Sequence, residues 1–180
     1  LGFAIGQMHT AGQGIHQFHP ANNAQAVKEI LSRTVVHITG GTIDSAYNDR
    51  ADTATPYEHS VIPKYFEEIL GVELEEPEFV FKKICMKDSR NLGPENIQNL
   101  VNEARRNYHK QQIATIGTYA LPDEAGRFDH MIHMGDLPLS KYVFVGAMLP
   151  NDVYLNDGWF NMGYALGRID SLPLGAFASM

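Results

Sequence analysis

Two short glycine–threonine runs carry the residue types in this chain that are best suited to chemistry. The first, Gly40-Gly41-Thr42, follows the largely apolar residues 35–38, and the second, Gly117-Thr118, follows residues 112–116. Each run is typical of a buried strand that ends in a glycine turn and presents a threonine hydroxyl. Because ligands bind at the carboxyl ends of strands in open α/β sheets, we expect both hydroxyls at one sheet edge, where one can act as a nucleophile.

The elements that must position these threonines alternate along the chain. Strands are expected at residues 35–38, 80–86, 112–118, 141–148 and 175–180. Helices are expected at residues 62–70, 94–108 and 159–169. This alternation predicts an α/β fold with a doubly wound, mainly parallel sheet and helices on both faces, a Rossmann-like arrangement of three layers. Residues 47–56 lack periodicity, and we expect them to form a mobile loop that serves as a lid beside Thr42.

Charge and cysteine content exclude several classes of partner and compartment. A formal net charge of −7 argues against nucleic acid or an anionic membrane as the main partner. No apolar run approaches the roughly 20 residues of a membrane-spanning helix. The single cysteine, Cys85, cannot form an internal disulfide, which favours a reducing compartment such as the cytoplasm. Its apolar surroundings favour a buried structural thiol over a nucleophile.

The two ends of the sequence resemble each other. Residues 1–8 align with residues 162–169 and share a Gly, an Ala and a second Gly at matching positions. We therefore expect residues 1–33 to be an N-terminal helical segment, the tail of a preceding repeat, and residues 34–180 to form the α/β domain. The alternative is a chance likeness between two small-residue amphipathic helices. The start has neither an initiator Met nor a basic leader, so we expect the chain to be cut from something longer.

Five blocks in order resemble the bacterial-type L-asparaginase/glutaminase family. The first is Gly40-Gly41-Thr42-Ile43, which looks like the leading family signature. The others resemble an Asp-Ser block, a Gly-Thr-Asp-Thr block, a Gly-Ala-Met-Arg-Pro block and an Asp-Gly-Pro-x-Asn helix start, at residues 87–92, 117–125, 146–150 and 157–161. The resemblance covers about residues 34–180, the N-terminal domain of that two-domain family, and points to a short single-domain branch of it.

The resemblance implies a role for each matching residue. Thr42 would be the nucleophile and Thr118 the second catalytic threonine, and a lid tyrosine would help to activate Thr42. Tyr47 and Tyr57 are both candidates, with Tyr57 preferred on spacing; either could instead be an aromatic residue that anchors the loop. The remaining expected site residues bind substrate: Gly41, Asp88, Ser89, Gly117 and Tyr119.

The implied reaction is hydrolysis of L-asparagine, or a related small amide, to the acid and ammonia through an acyl-threonine. It needs no metal and no organic cofactor. The family pairs its N-terminal domains, so the resemblance implies a homodimer whose other partner is the small amide.

Four positions depart from the family pattern. Ile116 replaces a His, Tyr119 the Asp that binds the substrate amine, Ala120 a Thr and Leu149 an Arg. Losing a charge-assisted hydrogen bond at position 119 costs about 1.5–3 kcal/mol, which is roughly a ten- to hundredfold effect on binding. The lysine of the family relay would lie beyond Met180. Lys28 could take its place if the chain ends are repeats, although a solvated surface lysine is the favoured interpretation.

These departures leave a second function open. The chain could be an asparaginase-like module that binds a small amide or amino acid without turning it over, or a subunit that needs a partner copy. An unrelated doubly wound protein would require five ordered blocks to match by accident. His9, His16 and His19 lie close together, and His130 and His133 are three residues apart; no carboxylate or cysteine completes a convincing metal set with them, so no metal site is expected.

Overall fold

The computed structural model describes residues 20–74 and 79–180, with side chains from residue 24 onward. The helices are α1 Pro20–Ser32, α2 Ile62–Glu68, α3 Pro94–Arg106, α4 Leu121–Met134 and α5 Gly158–Ile169. The strands are β1 Thr34–Gly40, β2 Ser45–Asn48, β3 Thr53–Pro56, β4 Val80–Lys87, β5 Gln111–Thr115, β6 Lys141–Val145 and β7 Gly175–Ser179. Single 3-10 turns follow β1, at Thr42–Asp44, and β4, at Ser89–Asn91.

Five strands form a parallel sheet in the order β4-β1-β5-β6-β7. From β1 the chain crosses to β4 on one side and then returns to β5 on the other side of β1. The sheet therefore has a topological switch point between β1 and β5, and a crevice for ligands is expected beyond the carboxyl ends of these two strands. Ile38 pairs with Thr115 at this switch point, so both glycine–threonine runs leave the sheet side by side.

Helices cover both faces of the sheet. One apolar cluster joins α1, α2 and α5 to the sheet, with Leu31, Phe66 and Met162 among its buried members. The other joins α3 and α4 to the opposite face, with Leu100 and Phe128 at its centre. All seven residues of β1 are buried, as expected for an interior strand of a parallel sheet that is covered on both faces. This arrangement confirms the expected α/β fold with three layers.

The glycine turns begin earlier than the sequence indicated. The strands expected at residues 112–118 and 141–148 end at Thr115 and Val145. The amide of Ile116 still donates to the carbonyl of Val145, at 2.9 Å, but the backbone then leaves the sheet at Gly117. Each site segment is thus a loop beyond its strand.

Helix α4 was missed in the sequence because Pro122 and Gly126 mark its first half as a loop. Pro lies in the first helical turn, where no backbone hydrogen bond is lost. Leu121, Ala125, Phe128 and Ile132 then form the buried stripe of the helix.

The expectation that residues 47–56 form an irregular loop was wrong, while their mobility and their role as a lid stay predictions. This stretch forms most of a β-hairpin, in which Ser45 pairs with Pro56 and Asn48 with Thr53. The turn is built by the Asn48 side chain, whose oxygen accepts from the amides of Arg50 and Ala51. Most hairpin positions are at least partly exposed, so the apolar alternation that reveals a strand is missing from the sequence.

The expected repeat and N-terminal segment fall mostly on residues 1–19, which lie outside the described residues. The described part of residues 1–33 is dominated by α1, which packs against the same face of the sheet as α2 and α5. Among the described helices, none has the length and apolar character needed to cross a membrane.

Candidate active site

The two glycine–threonine runs touch through their backbones. Gly41 has φ +81°, and a Cβ atom added there would lie 2.3 Å from the amide nitrogen of Gly117 and 2.6 Å from its Cα. Only glycine is compatible with both the positive φ and this close approach. Thr42 and Thr118 follow these glycines directly, and both are partly buried. The expectation that the two hydroxyl-bearing segments meet at one edge of the sheet is therefore confirmed.

The turn that carries Thr42 is fixed by backbone hydrogen bonds. The amide of Gly41 donates to the carbonyl of Lys87 at 2.9 Å, which ties the turn to the end of β4. The carbonyl of Gly41 accepts from the amide of Asp44 at 3.0 Å and from the Ser45 hydroxyl at 2.7 Å. Thr42 is therefore held by its neighbours in the main chain and needs no support from its own side chain.

Ser89, which follows β4, packs against the second threonine segment. Its side chain is buried against Gly117: a Cβ atom at Gly117 would lie 2.3 Å from the Ser89 Oγ. We call the segments at the carboxyl ends of four neighbouring strands the threonine edge. These segments are residues 40–45, 87–92, 116–120 and 146–151. The expected site residues Gly41, Ser89 and Gly117 thus form one contiguous set within it.

Asp88 is occupied by a neighbour within its own turn. Its Oδ1 accepts from the amide of Arg90 at 2.9 Å and from Nε at 3.0 Å, while its Oδ2 accepts from Nε and Nη2 of the same guanidinium. This hydrogen bonding holds the pKa of Asp88 below its usual value. Arg90 Nη2 also donates to Thr53 Oγ1 at 3.3 Å, which links the turn to the hairpin. Asp88 thus orders the turn that presents Ser89. Its expected role in binding substrate stays a prediction.

The structure separates the two candidate tyrosines. The amide of Tyr57 donates to the carbonyl of Asp44 at 2.9 Å, which connects Tyr57 to the turn of Thr42. Burial raises the pKa of its phenol. The Tyr47 hydroxyl instead donates to Asp52 within the hairpin. Both tyrosines line a groove of about 480 Å³ formed by hairpin residues 46–50 and 55–57.

Asp44 is a site residue to which sequence reasoning assigned no role. It is fully buried, and its carboxylate accepts from the Ser60 hydroxyl at 2.7 Å and from the amide of Val61 at 2.8 Å. Burial raises its pKa above the usual value. Asp44 thus ties the segment after the hairpin to the turn that carries Thr42. The sequence held one signal for this role: an acidic residue stands two positions after Thr42, inside a run that is otherwise buried.

The fourth and fifth sequence blocks are joined by one carboxylate. Asp157 accepts from the amides of Met148 and Leu149 at 2.9–3.1 Å and from Asn161 Nδ2 at 3.2 Å. Asn161 Nδ2 also donates to the carbonyl of Gly146 at 2.9 Å. These bonds shape the loop after β6, so the two blocks serve one structural purpose.

This loop also contacts the hairpin. The amide of Asn151 donates to the carbonyl of Ser45 at 2.9 Å, and the amide of Tyr47 donates to Asp152 Oδ1 at the same distance. The hairpin is therefore held from two sides, by the loop after β6 and by Arg90.

Tyr119, the most conspicuous departure in the sequence, follows Thr118 with its side chain 74% exposed. Lys28 lies in α1, outside the threonine edge. Lys87 lies within it, where its Nζ donates to Asn96 Oδ1 at 2.9 Å and is 3.8 Å from Glu95. Half-buried Cys85 donates to the carbonyl of Thr39, and burial raises its pKa, consistent with an unreactive thiol.

Histidines were the other candidate cluster. Residues 9, 16 and 19 lie outside the described residues. In α4, His133 Nδ1 lies 2.8 Å from the carbonyl of Asp129 in its own helix. Across residues 20–74 and 79–180, no group of three or more His, Cys, Asp or Glu residues could hold a metal ion.

Comparison with known proteins agrees with this architecture. The thermostable L-asparaginase from Thermococcus kodakarensis superposes with a TM-score of 0.62 at 21% identity, over 82% of this chain and 43% of that one. A probable cytoplasmic L-asparaginase from Campylobacter jejuni gives a TM-score of 0.57 at 18% identity, over 82% and 44% of the two chains. The chain thus spans less than half the length of these proteins, and at such identities the likeness establishes the fold. No curated protein matches it significantly.

A family model built from sequences shows which family the chain belongs to. The model described as the N-terminal domain of asparaginase matches residues 33–170, well over half of the chain. The matched region contains both glycine–threonine runs, Ser89 and the loop after β6. The chain belongs to the asparaginase family, of which it carries the N-terminal domain.

Proposed function

We propose that this protein is an asparaginase-type amidohydrolase that releases ammonia from L-asparagine or a related small amide, with Thr42 as nucleophile. The observation that carries the proposal is the backbone contact between Gly41 and Gly117, which sets two threonines and Ser89 together at the switch point of the sheet. This is the place where ligands bind in a doubly wound fold. Membership of the asparaginase family supports the reaction class.

The reaction divides into two steps. Thr42 Oγ attacks the amide carbon and loses its proton, the C–N bond breaks, and the nitrogen leaves as ammonia after taking up a proton. Water then attacks the acyl-threonine ester, which releases the acid and restores the hydroxyl of Thr42. Thr118 is the second catalytic threonine. Tyr57, whose amide is bound to the turn of Thr42, helps to activate Thr42, and Ser89 holds the far end of the substrate.

We also propose an assembly and a compartment. We assign a homodimer, a proposal supported by exposed aromatic surface on α5, where Phe160 and Tyr164 stack with ring centroids 6.4 Å apart. A cytoplasmic location is supported by the description of the Campylobacter jejuni neighbour. No cofactor enters the proposed chemistry.

A second candidate function is a binding module without turnover. It is favoured by the state of Lys87, the only lysine of the threonine edge, whose ammonium is bound to Asn96 and lies near Glu95. No lysine of the edge is therefore placed to take a proton from Thr42. A binder would be stabilised thermally by the amide and would release no ammonia.

Ammonia release from L-asparagine and L-glutamine, by the wild type and by Thr42→Ala, separates these functions. We expect turnover by the wild type and a loss of at least about a thousandfold in Thr42→Ala, because the attacking hydroxyl is gone. Thr42→Ser keeps a hydroxyl and is the matched control, for which we expect activity well above that of Thr42→Ala. A folded wild type that binds amide but releases no ammonia would establish the binding module.

A further inference from the structure

The loop after β6 holds one of its residues, Asn151, beside Tyr57. The amide of Asn151 donates to the carbonyl of Ser45 at 2.9 Å. The amide of Tyr57 donates to the carbonyl of the preceding residue, Asp44, at 2.9 Å. Two separate segments therefore meet at one short stretch of main chain, which closes the turn that carries Thr42. Asn151 is thus placed against the same turn as the tyrosine of the proposed mechanism.

The side chains of these two residues also meet. The side chain of Asn151 forms a hydrogen bond with the Tyr57 phenol. Its Oδ1 is buried and has no partner among the described residues, so the amide nitrogen faces the phenol and donates to its oxygen. A buried carbonyl oxygen without a partner is uncommon and unfavourable, so an arrangement that tolerates it needs a reason. The contact with the phenol supplies one.

The groups around the phenol oppose its ionisation. Burial and the carboxylates of Asp152 and Asp44 raise the pKa of Tyr57, whereas the hydrogen bond from Asn151 lowers it. The other titratable groups that line the same groove are Tyr47, Asp49 and Arg50. Asn151 therefore offsets part of an environment that keeps the phenol protonated.

A base for Thr42 has to be ionised before it can accept the hydroxyl proton. A donor to the phenol oxygen stabilises the phenolate and so increases the fraction of Tyr57 in that form at neutral pH. The same bond fixes the ring, which matters because the hairpin before Tyr57 forms a separate two-stranded sheet. The donor stands on the loop after β6, so the hydrogen bond holds the phenol in register with the central sheet.

We propose that Asn151 is a positioning residue of the amidohydrolase: its side-chain amide donates to the phenol oxygen of Tyr57 and holds the phenol ready to accept the proton of Thr42. The inference rests on the proposed function and adds a residue that does not touch the substrate. Thr42 Oγ loses its proton to the phenolate as it attacks the amide carbon, and the resulting phenol gives that proton to the departing nitrogen. Asn151 keeps both of its amide protons throughout.

Two neighbouring variants should change the ionisation of Tyr57 in opposite directions. Asn151→Ala removes the donor but keeps the backbone bond to Ser45, and we expect the pKa of Tyr57 to rise. Asp152→Asn removes a negative charge but keeps an oxygen to accept from the Tyr47 amide, and we expect this pKa to fall. The measurement is an NMR titration of protein labelled with carbon-13 at the tyrosine Cζ, in which Tyr57→Phe identifies the signal. Asn151→Asp preserves the size of the side chain and should raise the pKa further, so it replaces the alanine variant if that variant does not fold.

The effect on turnover is measured with L-asparagine between pH 7 and 9. We expect kcat of Asn151→Ala to fall roughly tenfold at pH 7.5 with little change in KM, because less phenolate is present while the amide still binds. For Asp152→Asn we expect kcat at that pH to rise. Combining Asn151→Ala with Tyr57→Phe should cause no loss beyond that of Tyr57→Phe alone, because Asn151 acts through the phenol.

Three results would overturn the inference while leaving the hydrolase intact. The first is an unchanged pKa of Tyr57 in Asn151→Ala and Asn151→Asp. The second is a fall of that pKa in Asn151→Ala, which would mean that the amide oxygen accepts from the phenol. The third is a loss of kcat on adding Asn151→Ala to Tyr57→Phe as large as the loss it causes in the wild type. If the wild type releases no ammonia, the proposed function fails instead, and the titration alone tests whether Asn151 holds the phenol.

Discussion

Gly41 and Gly117 set the geometry of the site through main-chain contact. Each leaves no space for a Cβ atom, since the opposing backbone or the Ser89 side chain fills it. The positions of Thr42 and Thr118 are therefore set by the paths of two loops. Side chains around them, such as Tyr119 and Leu149, can differ from the family pattern without moving the hydroxyls.

Gly41→Ala tests this contact. The added Cβ would meet the backbone of Gly117 at 2.3 Å in a positive-φ conformation, so we expect a loss of at least about 3 kcal/mol in the free energy of unfolding. Urea denaturation followed by circular dichroism provides the measurement. Gly167→Ala is the matched control: nothing lies within 4 Å of its Cβ in helix α5, and we expect it to stabilise by about 0.5–1 kcal/mol. Equal midpoints for the two variants would contradict the close contact.

At the level of single residues, sequence reasoning found the glycines and hydroxyls but not Asp44. Gly41, Thr42, Ser89, Gly117 and Thr118 stand in short runs whose residue types carry a meaning by themselves. The role of Asp44 depends on Ser60 and Val61, which reach it only after the hairpin has folded back. That relation between distant residues leaves no local pattern. The occupation of Asp88 by Arg90 likewise requires side-chain geometry.

Among the elements, the hairpin of β2 and β3 depends on a few polar anchors. It forms its own two-stranded sheet, separate from the central one, and two strands alone are marginally stable. Arg90 and Asp152 attach it through side-chain hydrogen bonds, and Asp44 holds the segment that follows it. The hairpin therefore keeps its position beside Thr42 without a large apolar face of its own.

Ser60→Ala removes one of these anchors. The Asp44 carboxylate would lose a donor inside the protein, and we expect the free energy of unfolding to fall by about 1.5–3 kcal/mol. Ser171→Ala is the control, because the Ser171 hydroxyl bonds an exposed helix-end carbonyl; its effect should stay within about 0.5 kcal/mol. Urea midpoints of the two variants give the comparison, and a Ser60→Ala value no larger than that of Ser171→Ala would remove Asp44 as an anchor.

Some helices and strands could be predicted from the sequence, and others could not. The central strands could be predicted because continuous apolar runs mark buried parallel strands. Helix α3 has a regular stripe, with Ile97, Leu100, Val101 and Ala104 buried. The hairpin was missed because a partly exposed ribbon needs no apolar alternation. Helix α4 was missed because its Pro and Gly are typical of loops.

For the molecule as a whole, the alternation of strands and helices was sufficient to predict the doubly wound sheet, and the structure confirms it. The interior contains one feature that sequence patterns did not reveal. His37 is buried in β1, where its Nε2 lies 2.9 Å from Gln112 Oε1, and no described residue is a partner for its Nδ1. A void of about 10 Å³, close to the space of one water molecule, adjoins the ring.

His37 should make the stability of the whole protein depend on pH. Burial lowers its pKa, so below pH 6.5 the unfolded chain binds a proton that the folded protein does not. Stability is therefore full above pH 6.5 and falls as pH decreases toward the folded pKa, at no more than about 1.4 kcal/mol per pH unit. We expect His37→Asn to show a shallower decline between pH 7.5 and 5.5 in urea denaturation.

The Asp44 carboxyl also affects how the free energy of unfolding changes with pH. Asp44 works in the opposite direction, since its raised pKa favours proton uptake by the folded protein as pH falls. Asp44 is present in both the wild type and His37→Asn, so the difference between their slopes isolates the histidine. Identical slopes in the two proteins would mean that His37 is not held neutral.

The pairing of β1 with β5 determines when, during synthesis and folding, the two threonine loops come together. Thr39 bonds Thr115 across 76 residues of chain, and both threonine loops depend on that pairing. Since a ribosome delivers the N-terminal part first, Thr42 leaves the exit tunnel well before the segment that completes its surroundings. Parallel strands that are so far apart in sequence also join slowly. The edge of the sheet that carries Thr42 and Thr118 is therefore assembled only when folding is nearly complete.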